Sequence, residues 1–115
     1  MVKLFISQPM TGKSKEEIFA DRSKAIAIAM YLLGDEEAEV IDSYSTEEMT
    51  DLGYLGYSIM QLAKADVAYF AKDWNNARGC KIEHLCAVEY GIRIIEHRDL
   101  LSYGMNFLEA DKVSD

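Results

Sequence analysis

The chain has 115 residues, 50% of them hydrophobic and 28% charged, which fits a single globular domain with a sizeable core. Its net charge is −8 and it carries no lysine or arginine cluster, which excludes duplex nucleic-acid binding as a function class. The longest apolar run, AIAIAMYLL at 25–33, falls far short of the ~20 residues of a membrane span.

In chain order, VKLFI (2–6) is a short apolar run followed by a turn, which reads as a buried strand. A chain that enters a strand at once has no signal-peptide pattern. Ser14-Lys15-Glu16-Glu17 is a capping box, S-x-x-E, and predicts a helix running to about Leu33. Ile18, the Arg22 stem, Ala25, Ala29 and Leu32 recur at helical spacing, and Gly34 is its stop. AEVID (38–42) predicts a second strand. SYSTEEMTDLGY is a polar connection with room for one helical turn from Ser45. A helix is expected over 54–64, with Leu55, Ile59, Leu62 and Ala63 inward. DVAYF (66–70) is a third strand, AKDWNNARG a loop, 79–90 a helix stopped by Gly91, and IRIIE (92–96) a fourth strand. Residues 97–115 are less patterned. Their LLSYGMNFL stretch suits a short packed helix or an interface segment.

Strand and helix alternate with short links, the pattern of a parallel sheet covered by helices on both faces. Ligands of such sheets sit beyond the carboxyl ends of the strands. Three loops meet that rim: 7–13, 42–51 and 71–78. Cys80 and Cys86 fall on different faces of one predicted helix, so no disulfide is expected between them, and a reduced, cytoplasmic setting follows.

SQPMTGKS (7–14) is one glycine short of the phosphate-cradling G-x-x-x-x-G-K-[ST] pattern, with Ser7 at the missing position. Only glycine takes some of the wrapped angles of that loop, and the chain is short for a nucleoside triphosphatase. A strand, a tight turn stiffened by Pro9 and a capped helix start still form an anion-friendly turn. Ser7, Thr11 and Lys13 add donors there. The plain alternative is a structural turn with Lys13 in solvent. Asp42, after EVI, is the one candidate magnesium ligand.

Glu83 lies early in the third long helix, where the helix dipole favours an anion. Helical spacing puts Cys80, Glu83, Ala87 and Tyr90 on one face. Glu83 is a candidate nucleophile, against the plain reading of a surface glutamate. In DWNNARG, Trp74 offers a stacking face, Asn75 and Asn76 offer donors and acceptors, and Arg78 offers a partner for phosphate or carboxylate. The plain reading is a turn with Trp74 at a core edge. Cys80, His84 and Cys86 supply too few ligands for a closed metal site, and no metal or cofactor is called for.

Three segments together, FISQPMTG, ADVAYF and RGCKIEHLCAVEYG, resemble the nucleoside 2-deoxyribosyltransferase-like superfamily. The nearest resemblance is to a small branch of unknown function with S-x-P-M-x-G near its start. It covers residues 3–96. It implies an α/β fold, a flavodoxin- or Rossmann-like parallel sheet of four or five strands with helices on both faces, within residues 1–96. It also implies cleavage or transfer of the N-glycosidic bond of a nucleoside or nucleotide. The family's nucleophile sits in G-x-x-x-E followed by alanine, matched by Gly79, Glu83 and Ala87. Its first loop approaches the sugar and, in nucleotide hydrolases, the 5′-phosphate, matched by Ser7, Gln8, Met10, Thr11 and Gly12. Asp66 matches the third-strand aspartate, as an anchor. The transferases carry an aspartate a few residues before the nucleophile, where this chain has Asn75, Asn76 and Ala77, leaving Asp73 as the nearby carboxylate. The resemblance implies a homodimer or larger homo-oligomer. The competing expectation is a module that binds or sequesters a nucleotide without cleaving it.

Overall fold

The computed structural model describes residues 1–97. The alternation becomes β1 (Val2–Ser7), α1 (Lys15–Leu33), β2 (Ala38–Val40), α2 (Asp51–Leu62), β3 (Val67–Phe70), a 3-10 turn at Trp74–Asn76, α3 (Arg78–Glu89) and β4 (Arg93–Glu96). The strands form one four-stranded, all-parallel sheet in the order β2-β1-β3-β4. This is the flavodoxin- or Rossmann-like α/β arrangement. The C-terminal tail expected after the last strand lies, apart from His97, outside the described residues.

The period of two along each strand divides the core. Leu4, Ile6, Val67, Tyr69 and Ile95 meet Ala25, Ile28, Ala29 and Leu33 of α1 on one face. Phe5, Ala68 and Phe70 meet Leu62 of α2 and Ala87 of α3 on the other. Ser7 follows Phe5 by two residues and therefore belongs to the α2/α3 face, paired in register with Phe70. Both faces of β1 and β3 are covered from Leu4 and Val67 onward, which is why residues 4–6 and Val67–Phe70 read as unbroken apolar runs. Asp66 accepts the Lys3 backbone N–H at 2.8 Å and so anchors β3 beside β1.

The α1 capping box forms with both reciprocal bonds, Glu17 N–H to Ser14 Oγ and Ser14 N–H to the Glu17 carboxylate, each 3.1 Å. Gly34 ends the helix at φ 65° and bonds back to Met30 and Tyr31. Several boundaries differ from the sequence reading. β2 stops at Val40 because Asp42 turns the chain, its carboxylate accepting Tyr44 N–H at 3.2 Å. No helical turn starts at Ser45; its hydroxyl accepts Glu47 N–H in a local turn. α2 begins three residues earlier than expected, at Asp51 rather than 54, because Thr50 caps it by accepting Gly53 N–H at 3.0 Å. Ala63, expected inward, is its exposed C-cap, and Gln61 is buried instead. Tyr90 lies past the end of α3 and is 84% exposed, so it leaves the Cys80–Glu83–Ala87 face.

Thr50→Ala is expected to cost about 1 kcal/mol of stability, the usual loss for an N-cap. Ser45→Ala, which removes only a loop bond, should cost less. Urea denaturation of the two variants against the parent checks the order.

Candidate functional site

Among the described residues, a cavity opens at the rim on each face of the sheet. The larger, about 690 Å³, lies on the α2/α3 face. It is walled by Gln8 to Thr11 after β1, Ser43 to Ser45 after β2, the first turns of α2, and Ala77 to Cys80, Ile82 and Glu83. The α2 contribution is a helical stripe: Asp51, Tyr54, Leu55 and Ser58 stand at i, i+3, i+4 and i+7. Arg22 braces the far wall by donating to Ile41 O at 2.9 Å and to Ser43 Oγ at 3.4 Å.

Glu83 is 6% exposed and presents its carboxyl to this cavity. Ser7 Oγ donates to Glu83 Oε1 at 2.6 Å, from the end of β1. Ser58 Oγ donates to Glu83 Oε2, from α2. Each carboxylate oxygen thus receives one hydroxyl, from a different element. Burial raises the Glu83 pKa above the ordinary carboxylate value, and the Ser58 and Ser7 bonds pull against that rise. Gly79, one turn before Glu83, adds no side chain to the wall. The α3 N-terminus is capped by no side chain. The reading of Glu83 as a surface residue does not hold.

Cys80 neighbours this pair. Burial pushes its thiol up to about 11, and the Glu83 charge adds to that rise, so it is no ready thiolate. His84 is turned elsewhere, its Nε2 2.7 Å from Glu96 Oε2. Cys80 and His84 therefore form neither a nucleophile pair nor a shared metal position. Among the described residues no group of three His, Cys, Asp or Glu side chains is placed to hold a metal.

The predicted site residues divide. Gln8, Met10, Thr11, Arg78, Gly79 and Glu83 line the larger cavity, and Ser7 lies directly behind Glu83. Gly12 does not line it; it supplies the positive φ, 79°, of the turn into α1. Lys13 bonds Asp21 at 2.5 Å and, with Asp73, lines the smaller cavity on the α1 face. Trp74 lines neither: its ring stacks on His84 at 4.2 Å and tilts against Phe70 at 5.5 Å. It is the core-edge residue of the plain reading. Asn75 also lines neither cavity. Asp42 is engaged with the Tyr44 backbone. The sequence reading missed Ser58, Tyr44, Tyr54 and Tyr57, which supply the second Glu83 donor and the aromatic wall.

No protein-family model, curated protein or solved structure matches the chain. Function therefore has to be argued from the cavity. Among the described residues no helix is long and apolar enough to cross a membrane.

Two predictions follow from the Glu83 environment. The folded state holds the Glu83 proton more tightly than the unfolded chain, where the value is about 4.3. This group's contribution is therefore most favourable below the unfolded value and is lost as pH rises through the raised folded one. Glu83→Gln should gain stability relative to the parent between about pH 4 and pH 7; paired thermal melts at both values read the difference. Ser58→Ala should raise the Glu83 pKa further, and more than Ser7→Ala does, because the Ser58 bond lowers it more. Ser58→Thr should restore it. Carboxyl ¹³C NMR titration of Glu83 measures all three.

Proposed function

We propose that the larger cavity binds a nucleoside or nucleotide and that Glu83 cleaves its N-glycosidic bond, by hydrolysis or by transfer to a second base. The observation that carries this reading is the buried Glu83 carboxyl, facing the cavity and gripped at each oxygen by a serine hydroxyl. A fixed, desolvated carboxylate with one hydroxyl on each oxygen keeps a lone-pair direction free on each for an electrophile, and an anomeric carbon is such an electrophile. Attack at that carbon through an oxocarbenium-like transition state gives a glycosyl ester on Glu83. The bond to the base breaks with its electron pair going to the base. Water, or a second base, then displaces the carboxylate. Thr11 and the backbone of the β1 loop would meet the sugar, and Tyr44, Tyr54 and Tyr57, which line the same cavity, would meet a flat base.

The resemblance carried by FISQPMTG and RGCKIEHLCAVEYG supports the same chemistry and adds a homo-oligomer to the proposal, in the cytoplasmic setting expected from the cysteines. Cys80 and Cys86 are both free thiols, compatible with a reducing compartment.

A second reading, a module that binds without cleaving, is favoured by one observation. Among the described residues the cavity's other carboxylate is Asp51, which is exposed and sits 3.6 Å from Arg78. It is poorly placed to protonate a departing base.

Incubation with a panel of nucleosides and nucleotides, followed by chromatography for free base, separates the two. Release is expected for the parent and a loss of about 10³-fold or more for Glu83→Ala and Glu83→Gln. Full activity in either folded variant removes Glu83 as the nucleophile. Tight binding with intact ligand throughout establishes the binding module.

A further inference from the structure

The charges around Glu83 narrow the substrate class, given the glycosidase reading above. Among the described residues the larger cavity is lined by two carboxylates, Glu83 and Asp51, and one cation, Arg78. Arg78 and Asp51 stand 3.6 Å apart, with side chains 78% and 88% exposed, so they offset each other at the mouth. The charge left inside is that of Glu83. Lys13, the nearest lysine of the β1 loop, is held by Asp21 on the opposite face of the sheet. The other titratable lining groups are Cys80, Tyr44, Tyr54 and Tyr57. Cys80 is buried, its thiol pushed up to about 11, and the Tyr54 hydroxyl already donates to Glu47 O at 2.8 Å. The described lining holds no histidine and no third carboxyl to protonate a departing base. It does hold three tyrosine rings, whose faces attract cations.

A heterocycle that already carries a positive charge needs no proton to leave. We infer that the site takes N-glycosides whose leaving ring bears a quaternised, cationic nitrogen, of the N-ribosylpyridinium or N7-alkylpurine kind. The Glu83 carboxylate and the tyrosine rings bind the cation. A Glu83 oxygen attacks C1′, the C1′–N bond breaks, and its electron pair neutralises the ring nitrogen. The ring leaves as a neutral heterocycle, with no acid required. Water then attacks C1′ of the glycosyl ester, the carboxylate departs as an anion, and the water's second proton goes to solvent. The products are the free sugar, the neutral base and one proton.

Nicotinamide riboside paired with its uncharged dihydro form, and 7-methylguanosine paired with guanosine, test this in the parent protein. Each cation should release its base faster than its neutral partner by roughly 100-fold beyond the same ratio measured without protein, as expected for one buried opposite charge at contact. Ratios no greater than the protein-free ones in both pairs overturn the inference. If none of the four releases base, calorimetric affinities decide. Tighter binding of both cations, lost in Glu83→Gln and lost in the parent on acidification, keeps the substrate class and removes the glycosidase reading. Equal affinities within each pair overturn the substrate class as well.

Discussion

Taking a carboxylate out of water costs several kcal/mol, and a fold tolerates it only where hydrogen bonds repay part of the loss. At Glu83 the repayment comes from two hydroxyls on two separate elements, Ser7 at the end of β1 and Ser58 on α2. Both must arrive together. β1 brings Ser7 to the α2/α3 face only because the strand pleat puts it on the side of Phe5. α2 brings Ser58 only because Thr50 starts the helix early enough to face its Asp51–Ser58 stripe into the rim. The repayment is incomplete, since burial still raises the Glu83 pKa. A carboxyl held at such a cost, and facing an open cavity, is not accounted for by stability. A well-packed apolar side chain at that place would make a firmer core.

The β1 loop separates this site from the rest of the rim. Gln8 and Pro9 border both cavities, and the Gln8 amide donates to Ile18 O at 3.0 Å, tying the loop to α1. Beyond Pro9 the chain divides its roles. Met10 and Thr11 turn toward the larger cavity, Gly12 makes the turn at positive φ, and Lys13 swings to Asp21. The near match to a triphosphate-cradling loop is therefore a match of letters. Its lysine and its glycine serve the entry into α1.

Much of the fold was legible because its signals are local. The capping box, the helix-ending Gly34 and the apolar strands separated by helical stretches fixed the order of elements and implied a parallel sheet. Glu83 was legible as a candidate through its place at a helix start and its spacing from Gly79, but its burial was not. Burial depends on Ser7 and Ser58, which are 76 and 25 residues away in the chain. Ser58 had a readable signal. Starting the helix at Thr50 places Asp51, Tyr54, Leu55 and Ser58 on one face, but the glycines and the polar SYSTEEMT run obscure that start. Trp74 misled for a different reason. An aromatic in a polar loop suits base stacking, yet its partner is His84, ten residues on, brought over it by the 3-10 turn and the first turns of α3. No local pattern carries that contact.

Electrostatics connects the site to the whole molecule. A net charge of −8 repels phosphorylated ligands at long range, and among the described residues the larger cavity offers them one cation, already facing Asp51. A 5′-phosphate would have to break that pair or rely on the uncapped start of α3, close to the Glu83 carboxylate. A cationic heterocycle, as proposed above, would meet the opposite situation: drawn toward the acidic surface, past a mouth where Arg78 faces Asp51, to the buried Glu83 carboxyl. Such a ligand would also lower the Glu83 pKa toward the ordinary range, because the charged form gains a partner, and so would ionise the group that the proposal makes the nucleophile.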